Sequence, residues 1–191
     1  MIVGPYDVIN RFRYWVLRIA QGGDVLAPGD PDQPMQLIDA RDIAEWILRC
    51  ADQRTVGPFN VIGPITGRPP GPNNSPLPMT RGEMLKTIRQ ATGSDARVIW
   101  ADEAFLEANE VGAEELPYNL PSRENGFFRR SLARAAAAGL TTRPLLETAT
   151  DTWGWLRSNP VLPEKPGMKI RGGMDPEREA VLLEKLRTRA I

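Results

Sequence analysis

The chain has 191 residues, which suits one domain with a sizeable core, and its 24 Lys and Arg residues are balanced by 24 Asp and Glu residues. A formal charge of zero gives no electrostatic basis for binding nucleic acid or an anionic membrane, and no apolar stretch approaches the roughly 18 residues of a membrane span. The absence of histidine excludes a Ser/His/Asp triad and every histidine-containing zinc site, and the single cysteine, Cys50, excludes an intrachain disulfide and a cysteine-only metal cluster.

The first part of the chain alternates apolar runs with turn residues. Residues 2–3 are apolar and precede Gly4-Pro5, which predicts the end of a strand. Residues 8–21 carry apolar side chains at helical spacing and are followed by two glycines, so we expect an amphipathic helix there. Residues 24–33 contain Pro-Gly-Asp, which predicts a turn between two short extended pieces, the second of them at 35–38.

A second helix is predicted to begin after Asp39, which can cap it, with Asp42 in its first turn. Its apolar face is formed by residues at i, i+3, i+4 and i+7, which are Ile43, Trp46, Ile47 and Cys50. We expect Cys50 to be a small buried residue. Residues 59–62 form a short apolar run between two Gly-Pro pairs, which predicts a buried strand, and residues 64–79 hold six prolines and are predicted to form a loop.

The remaining elements are predicted mainly from caps. Thr80 and Glu83 form a capping box that predicts a helix as far as Gly93. Residues 97–101 predict a strand, after which Asp102 can cap a short helix, and residues 112–126 show no regular pattern. Three further helices are expected, at 131–138 before Gly139, from Pro144 to Pro160, and at 175–191.

Motifs for catalysis and dinucleotide binding are absent or incomplete. No G-x-G-x-x-G, G-x-x-G-x-x-G or Walker A pattern occurs, and the nearest series, Gly63, Gly67 and Gly71, has the wrong spacing and lies among prolines. Tyr14 and Arg18 stand at i and i+4, the spacing of a Tyr and Lys catalytic pair, but they share that helix face with core residues and no cofactor motif accompanies them. We therefore favour structural roles for this pair.

Two acidic groups are candidates for ligand binding. Asp30 and Asp32 lack the further oxygen ligands of a calcium loop, which favours a solvated turn. Asp39, Arg41 and Asp42 cluster at a helix start, where capping and the helix dipole explain them without chemistry. The sequence therefore predicts no metal site.

Four phrases occur in a characteristic order along the chain. They are residues 2–7 (IVGPYD), 36–44 (QLIDARDIA), 58–63 (PFNVIG), and 143–148 (RPLLET) with 151–156 (DTWGWL). Together they resemble the C-terminal half of extended short-chain dehydrogenases/reductases, the NAD-dependent epimerase/dehydratase family. The resemblance implies an α/β fold, namely a partial Rossmann-type C-terminal portion with short strands and several amphipathic helices, lacking the N-terminal nucleotide-binding half.

The same resemblance implies which residues lie near the cofactor. In the family the glycine-rich loop and the catalytic Tyr-x-x-x-Lys belong to the N-terminal half, so this chain alone is expected to bind no cofactor and to be redox-inactive. The family's strand ending in Gly-Pro passes beside the nicotinamide. Val3, Gly4, Pro5 and Tyr6 are therefore expected near an NAD or NADP held by that other half.

The resemblance also assigns residues to the substrate. Met35 stands where sugar-nucleotide epimerases often have an arginine, which weakens the case for a diphosphate ligand because a diphosphate needs a cation. Met35 and Gln36 are expected at a small-molecule substrate, and either Arg11 or Arg123 could supply the cation. The substrate itself is left open.

Residues 1–159 are expected to form the substrate-binding portion, residues 160–174 a linker and residues 175–191 a C-terminal helix. One hypothesis is that the chain is one half of an oxidoreductase, and the other is that it is a stand-alone binding protein or non-redox enzyme that reuses the substrate pocket.

The strands at 2–3 and 59–62 would lack neighbours, which predicts a homo-oligomer or pairing with a separate cofactor-binding polypeptide. Charged residues interrupt the apolar run that a signal peptide would need at the N-terminus. A single cysteine, which cannot form an intrachain disulfide, predicts a location in the reducing cytoplasm.

Overall fold

The computed structural model describes residues 1–7, 9–63, 78–120, 126–159 and 173–189. Its strands are β1 (Ile2–Val3), β2 (Asp24–Pro28), β3 (Pro34–Met35), β4 (Ile38–Asp39), β5 (Met79–Thr80) and β6 (Arg97–Ala101). Its helices are α1 (Arg11–Ala20), α2 (Ala40–Asp52), α3 (Arg81–Thr92), α4 (Glu103–Ala108), α5 (Ala133–Ala137), α6 (Leu145–Ser158) and α7 (Pro176–Arg189). This mixture of short strands and amphipathic helices confirms the predicted fold class.

The described strands associate in three pairs. β1 lies parallel to β4, and Ile2 is opposite Ile38. β2 lies parallel to β6 over five residue pairs, whereas β3 and β5 run antiparallel. Parallel pairs need crossover connections, and here they are supplied by helices, as in other α/β proteins.

The hydrophobic core lies between α1, α3 and α6 and against β2. The buried apolar residues of the two central helices are Phe12, Tyr14, Trp15, Val16 and Ile19 of α1 and Met84, Leu85 and Ile88 of α3. Trp15 also donates from its indole nitrogen to the carbonyl oxygen of Pro117, at 3.1 Å, so the polar end of this buried ring is paired. The helical spacing of apolar residues over 8–21 therefore predicted the buried face of α1.

Helix ends follow the predicted caps. Thr80 Oγ1 accepts a hydrogen bond from the backbone nitrogen of Glu83 at 3.2 Å, and the Glu83 carboxylate accepts one from the backbone nitrogen of Thr80 at 2.7 Å. Gly93 ends α3 with φ of 66°, a conformation in which a side chain is unfavourable. Asp102 caps α4 by accepting from the backbone nitrogen of Phe105 at 2.7 Å. No helix within the described ranges is long and apolar enough to cross a membrane.

The C-terminal helix α7 packs against the same core. Glu179 is buried and accepts hydrogen bonds from Arg18 at 2.6 Å and from the backbone nitrogen of Leu26 at 2.9 Å. Leu182 joins the apolar cluster formed by α1 and β2. Residues 160–172, most of the predicted linker, lie outside the described residues.

Three expectations need correction. The apolar run at 59–62 is in no strand within the described structure, because Phe59 instead packs edge-on against Trp46, with ring centroids 5.2 Å apart. A short apolar run can be buried by side-chain packing without backbone pairing, so periodicity alone could not decide this point. Met79 belongs to β5 and not to the predicted loop, of which 64–77 lie outside the described residues. On the predicted apolar face of α2, Ile47 is 58% exposed and Cys50 is only half-buried.

Candidate ligand-binding site

The residues expected near a cofactor lie at the end of β1. Val3 and Gly4 are buried, Pro5 is half-buried and Tyr6 is 76% exposed, with its ring 5.1 Å from that of Trp155. Gly4 has φ of 140°, which disfavours any side chain at this position. β1 thus presents a turn of glycine backbone followed by an exposed aromatic ring. Proximity of these residues to a nicotinamide stays a prediction.

The residues expected at the substrate are placed differently from one another. Met35 is fully buried in the core, and Gln36 is buried with its amide bonded to the backbone of Arg130, donating at 2.8 Å and accepting at 3.0 Å. Arg11 begins α1, and Arg123 lies outside the described residues. Their substrate contacts stay predictions, although Gln36 holds the segment around residue 130 against β3 and β4.

Four polar residues lie together at the start of α1, and we call them the N-terminal polar cluster: the half-buried Asp7 and Arg11 and the buried Arg13 and Tyr118. Asp7 accepts from the backbone nitrogen of Ile9 at 2.9 Å, and its carbonyl oxygen accepts from Arg13 at 3.2 Å. Several buried atoms of the cluster have no hydrogen-bond partner within the described residues, namely Asp7 Oδ2, Arg11 Nε, Arg13 Nε and Nη2, and the Tyr118 hydroxyl. Buried polar groups are usually paired, so this set indicates a place where a polar ligand fits.

The electrostatics of the cluster favour an electron-rich ligand. Burial raises the pKa of Tyr118, and the charge of Asp7 adds to this effect while Arg11 opposes it. The hydroxyl is therefore protonated at neutral pH and can donate a hydrogen bond. Burial, followed by the positive charges of Arg11 and Arg130, lowers the pKa of the Met1 amine to about 6, so two arginines act on the same small region. Cations outnumber the single carboxylate of Asp7 here.

A separate cleft of about 520 Å³, lined by no residue of the cluster, was not predicted from the sequence. Arg81 lines it with a buried guanidinium that donates to the carbonyl oxygen of Tyr118 at 2.8 Å and to that of Pro28. Burial lowers the pKa of Arg81 to about 10, and nearby Asp30 partly opposes this. Tyr118 therefore connects the two places, with its carbonyl on Arg81 and its hydroxyl in the cluster. Arg81 is the first residue of α3, where sequence reasoning saw only the capping box.

The cluster at the start of α2 is structural, as predicted. Asp39 caps the helix by accepting from the backbone nitrogen of Arg41 at 2.8 Å, and it also accepts from the hydroxyl of Thr148 at 2.8 Å. Asp42 accepts from the backbone and the guanidinium of Arg143, at 3.0 and 2.6 Å. These bonds attach the start of α2 to α6 and to Arg143 just before it, so the segments at 36–44 and 143–148 are in contact. The partners on α6 could not be assigned from local sequence.

Two other candidates are also accounted for by structure. Arg18 pairs with Glu179 and donates to the carbonyl oxygen of Asp24 at 2.5 Å. Its guanidinium therefore links α1 to α7 and to β2. Asp30 and Asp32 form an exposed turn, in which Asp30 accepts from the backbone nitrogen of Asp32 at 2.8 Å. In the ranges the structure describes, no group of three or more acidic or cysteine side chains could hold a metal ion.

Comparison with known proteins gives likenesses of architecture only. No family model and no curated protein matches the chain. A GDP-L-fucose synthetase from Naegleria fowleri bound to NADP is similar over 83% of this chain and 44% of its own, with 14% identity and a TM-score of 0.48. A UDP-glucose 4-epimerase from Thermus thermophilus in complex with NAD is similar over 82% and 44%, with 16% identity and a TM-score of 0.47. The chain thus spans less than half the length of these solved structures.

Proposed function

We propose that this chain supplies the substrate-binding half of an NAD(P)-dependent epimerase or reductase. The observation that carries the proposal is the N-terminal polar cluster, whose unpaired buried groups directly follow β1. The four phrases that resemble the epimerase/dehydratase family support it, because that resemblance implies the nicotinamide at the end of this same strand. A substrate in the cluster would then lie next to Gly4 and Tyr6.

We expect no dinucleotide site on the residues of this chain alone. A pyrophosphate is usually held by a glycine-rich turn at a helix N-terminus, and the sequence has no such motif. When bound to another segment, the nicotinamide would supply hydride chemistry, and no step of that chemistry comes from the described residues. What this chain contributes is binding: Arg11 and Arg13 attract an anionic or polyhydroxylated molecule, and Tyr118 donates a hydrogen bond to it.

Thermal denaturation of the purified chain against sugar phosphates, polyhydroxy acids, UDP-glucose, NADH and NADPH tests the proposal. We expect at least one of the polyhydroxylated anions to raise the melting temperature, since a ligand that binds only the folded state stabilises it. The same compound should have no effect on an Arg11→Gln variant. NADH and NADPH should bind with dissociation constants far above micromolar. Their binding free energies should therefore be much weaker than about −8 kcal/mol, the value for a micromolar dissociation constant. A panel without effect, or equal shifts in Arg11→Gln, contradicts the proposal.

A stand-alone binding protein is the second candidate, and the closure of the core by α7 favours it. The two candidates differ in what covers the face near β1, where Ile2 is exposed. A half-enzyme should associate with itself or with a cofactor-binding polypeptide through this face. A sharply melting monomer in light scattering, together with stop codons just upstream of Met1, favours the stand-alone protein. An in-frame G-x-x-G-x-x-G and Tyr-x-x-x-Lys upstream favour the half-enzyme.

A further inference from the structure

A groove of about 570 Å³ lies between β6 and α3, on the side of β6 away from β2, and we call it the β6 groove. The helix lines it with Gly82, Leu85, Lys86 and Arg89, which recur at helical spacing and so share one face. The strand lines it with residues 96–98 and Trp100. None of these residues belongs to the N-terminal polar cluster.

The backbone of β6 is paired on one side only within the described structure. Arg97 donates to the carbonyl oxygen of Gly23 at 2.8 Å, and the carbonyl oxygen of Ala101 accepts from Gly29 at 2.7 Å, so the odd-numbered residues face β2. Backbone groups alternate in direction along a strand. The N–H and C=O groups of Val98 and Trp100 therefore point to the other edge, and both residues line the groove.

The charges around this edge are mainly positive. Lys86 and Arg89 are exposed on the α3 side, and Arg97 is exposed at the start of the strand, where it pairs with Asp24. Asp95 is the one acidic side chain lining the groove among the described residues. A second copy of the chain would bring the same cations to the edge and would be repelled. An acidic segment from another protein has the complementary charge.

We propose that the β6 groove binds an extended acidic peptide segment of another protein, which adds to β6 as a further strand. The five residues of β6 span roughly 17 Å, which accommodates a peptide strand of similar length. Main-chain hydrogen bonds to Val98 and Trp100 supply affinity, and alternate side chains of the peptide contact the partly exposed Trp100 ring. Lys86 and Arg89 select acidic residues.

Fluorescence polarisation with a labelled peptide of roughly seven residues, in which glutamate alternates with threonine or valine, tests this proposal. We expect the peptide to bind, and the version with lysine in place of glutamate to bind at least about tenfold more weakly because it meets Lys86 and Arg89. N-methylation of alternate peptide amides should abolish binding, since it removes strand hydrogen bonds. Binding should weaken as salt is raised.

Variants separate the edge from the fold. Val98→Pro removes the outward N–H and leaves the pairing with β2 intact, so it should abolish peptide binding, whereas Val98→Ala should retain it. The double variant Lys86→Glu, Arg89→Gln should bind at least about tenfold more weakly, and Lys185→Gln, on α7, should bind as the parent does. Circular dichroism melting shows whether each variant is folded.

Four results would overturn the proposal: no binding of the acidic peptide, equal binding of the lysine version, parental binding by a folded Val98→Pro, or a dimer in light scattering that Val98→Pro disrupts. The last would assign the edge to a second copy of the chain. Because Arg11→Gln leaves the groove untouched, its peptide binding should equal that of the parent, which distinguishes failure here from failure of the proposed function.

Discussion

The two sides of the molecule differ in how completely their groups are paired. Around β2 and α7, the large side chains are buried and the buried ionised group has partners, since Glu179 accepts hydrogen bonds from Arg18 and from the Leu26 backbone. Around β1 and α2, Leu48 is 68% exposed, Val56 is 84% exposed, and the N-terminal polar cluster keeps unpaired atoms inside.

This difference indicates that one side of the molecule contributes most of the stability and that the other side contributes most of the binding. A fully paired region needs nothing further, whereas buried unpaired groups and exposed large apolar side chains reduce stability unless a ligand or partner satisfies them. The side of β2 and α7, with the apolar core of α1 packed against it, should therefore control the free energy of unfolding, and the side of β1 should tolerate substitution and respond to ligands.

The largest expected effect comes from Trp15→Ala. Trp15 is buried at the centre of α1 and its indole nitrogen is bonded to Pro117, so removing the ring should lower the free energy of unfolding by about 4 kcal/mol. Leu48→Ala, on the other side, should change it by less than about 0.5 kcal/mol. Urea denaturation followed by circular dichroism measures both, and comparable losses would remove the distinction between the two sides.

The ion pair that attaches α7 should come next. Glu179→Ala leaves Arg18 without its partner and the Leu26 amide without an acceptor, so we expect a loss of about 3 kcal/mol. Glu184→Ala is the matched control, because Glu184 lies on the same helix in an exposed pair with Arg187 and should cost less than about 0.5 kcal/mol. Equal losses would mean that burial of Glu179 is unimportant.

Asp39 should give α2 a pH-dependent contribution. Burial acts to raise the pKa of Asp39, but hydrogen bonds from Arg41 and Thr148 outweigh it, so the pKa lies below its ordinary value. A carboxyl with a depressed pKa stabilises the fold above its unfolded pKa of about 3.9 and loses that contribution as pH falls through the folded value. Asn keeps the cap but loses the charge that Arg41 pairs with, so Asp39→Asn should cost about 1 kcal/mol at pH 7 and show a flatter decline below pH ~4.

Melting temperatures recorded from pH 7 downward measure this effect. Asp32→Asn serves as the control, because Asp32 lies in an exposed turn away from α2, and its profile should follow that of the parent. If Asp39→Asn melts like the parent at every pH but loses ligand binding, then Asp39 has a functional role and not a structural one.

The smallest effect should have the opposite sign. Tyr118→Phe removes a buried hydroxyl that has no partner within the described residues, so the free energy of unfolding should rise by about 0.5 kcal/mol. The same variant should reduce the melting-temperature shift caused by any ligand of the cluster. A loss of stability greater than about 1 kcal/mol would show that the hydroxyl is paired in solution.

Local features of the fold could be read from the sequence, because they depend on neighbours in the chain. The capping box at Thr80 and Glu83, the strand at 97–101 and the cap at Asp102 are all present as predicted. Pairing over long distances could not be read. Met79 is in a strand because β3 pairs with it. Residues 59–62 are in no described strand, and Phe59 is instead packed against the ring of Trp46.

The candidate site shows the same limit. Arg11 was identified through the resemblance. In the structure its neighbours Asp7 and Tyr118, which are 111 positions apart in the chain, also have side-chain atoms without hydrogen-bond partners among the described residues. Tyr118 lies in a stretch without periodicity. Arg81 lies between Thr80 and Glu83, whose capping box predicts a helix start and nothing about Arg81 itself. Neither has a local pattern that marks it, because each acquires its role only when distant segments meet.

α7 supplies contacts that a shorter fragment of this chain would lack. A fragment ending at residue 159 keeps both strands of the β2–β6 ladder but leaves the Leu26 amide without its side-chain acceptor and Arg18 without its counter-ion. It also exposes the apolar surface that Leu182 covers. The last helix is thus part of the folding unit, and residues near opposite ends of the chain must meet before β2 is fully enclosed.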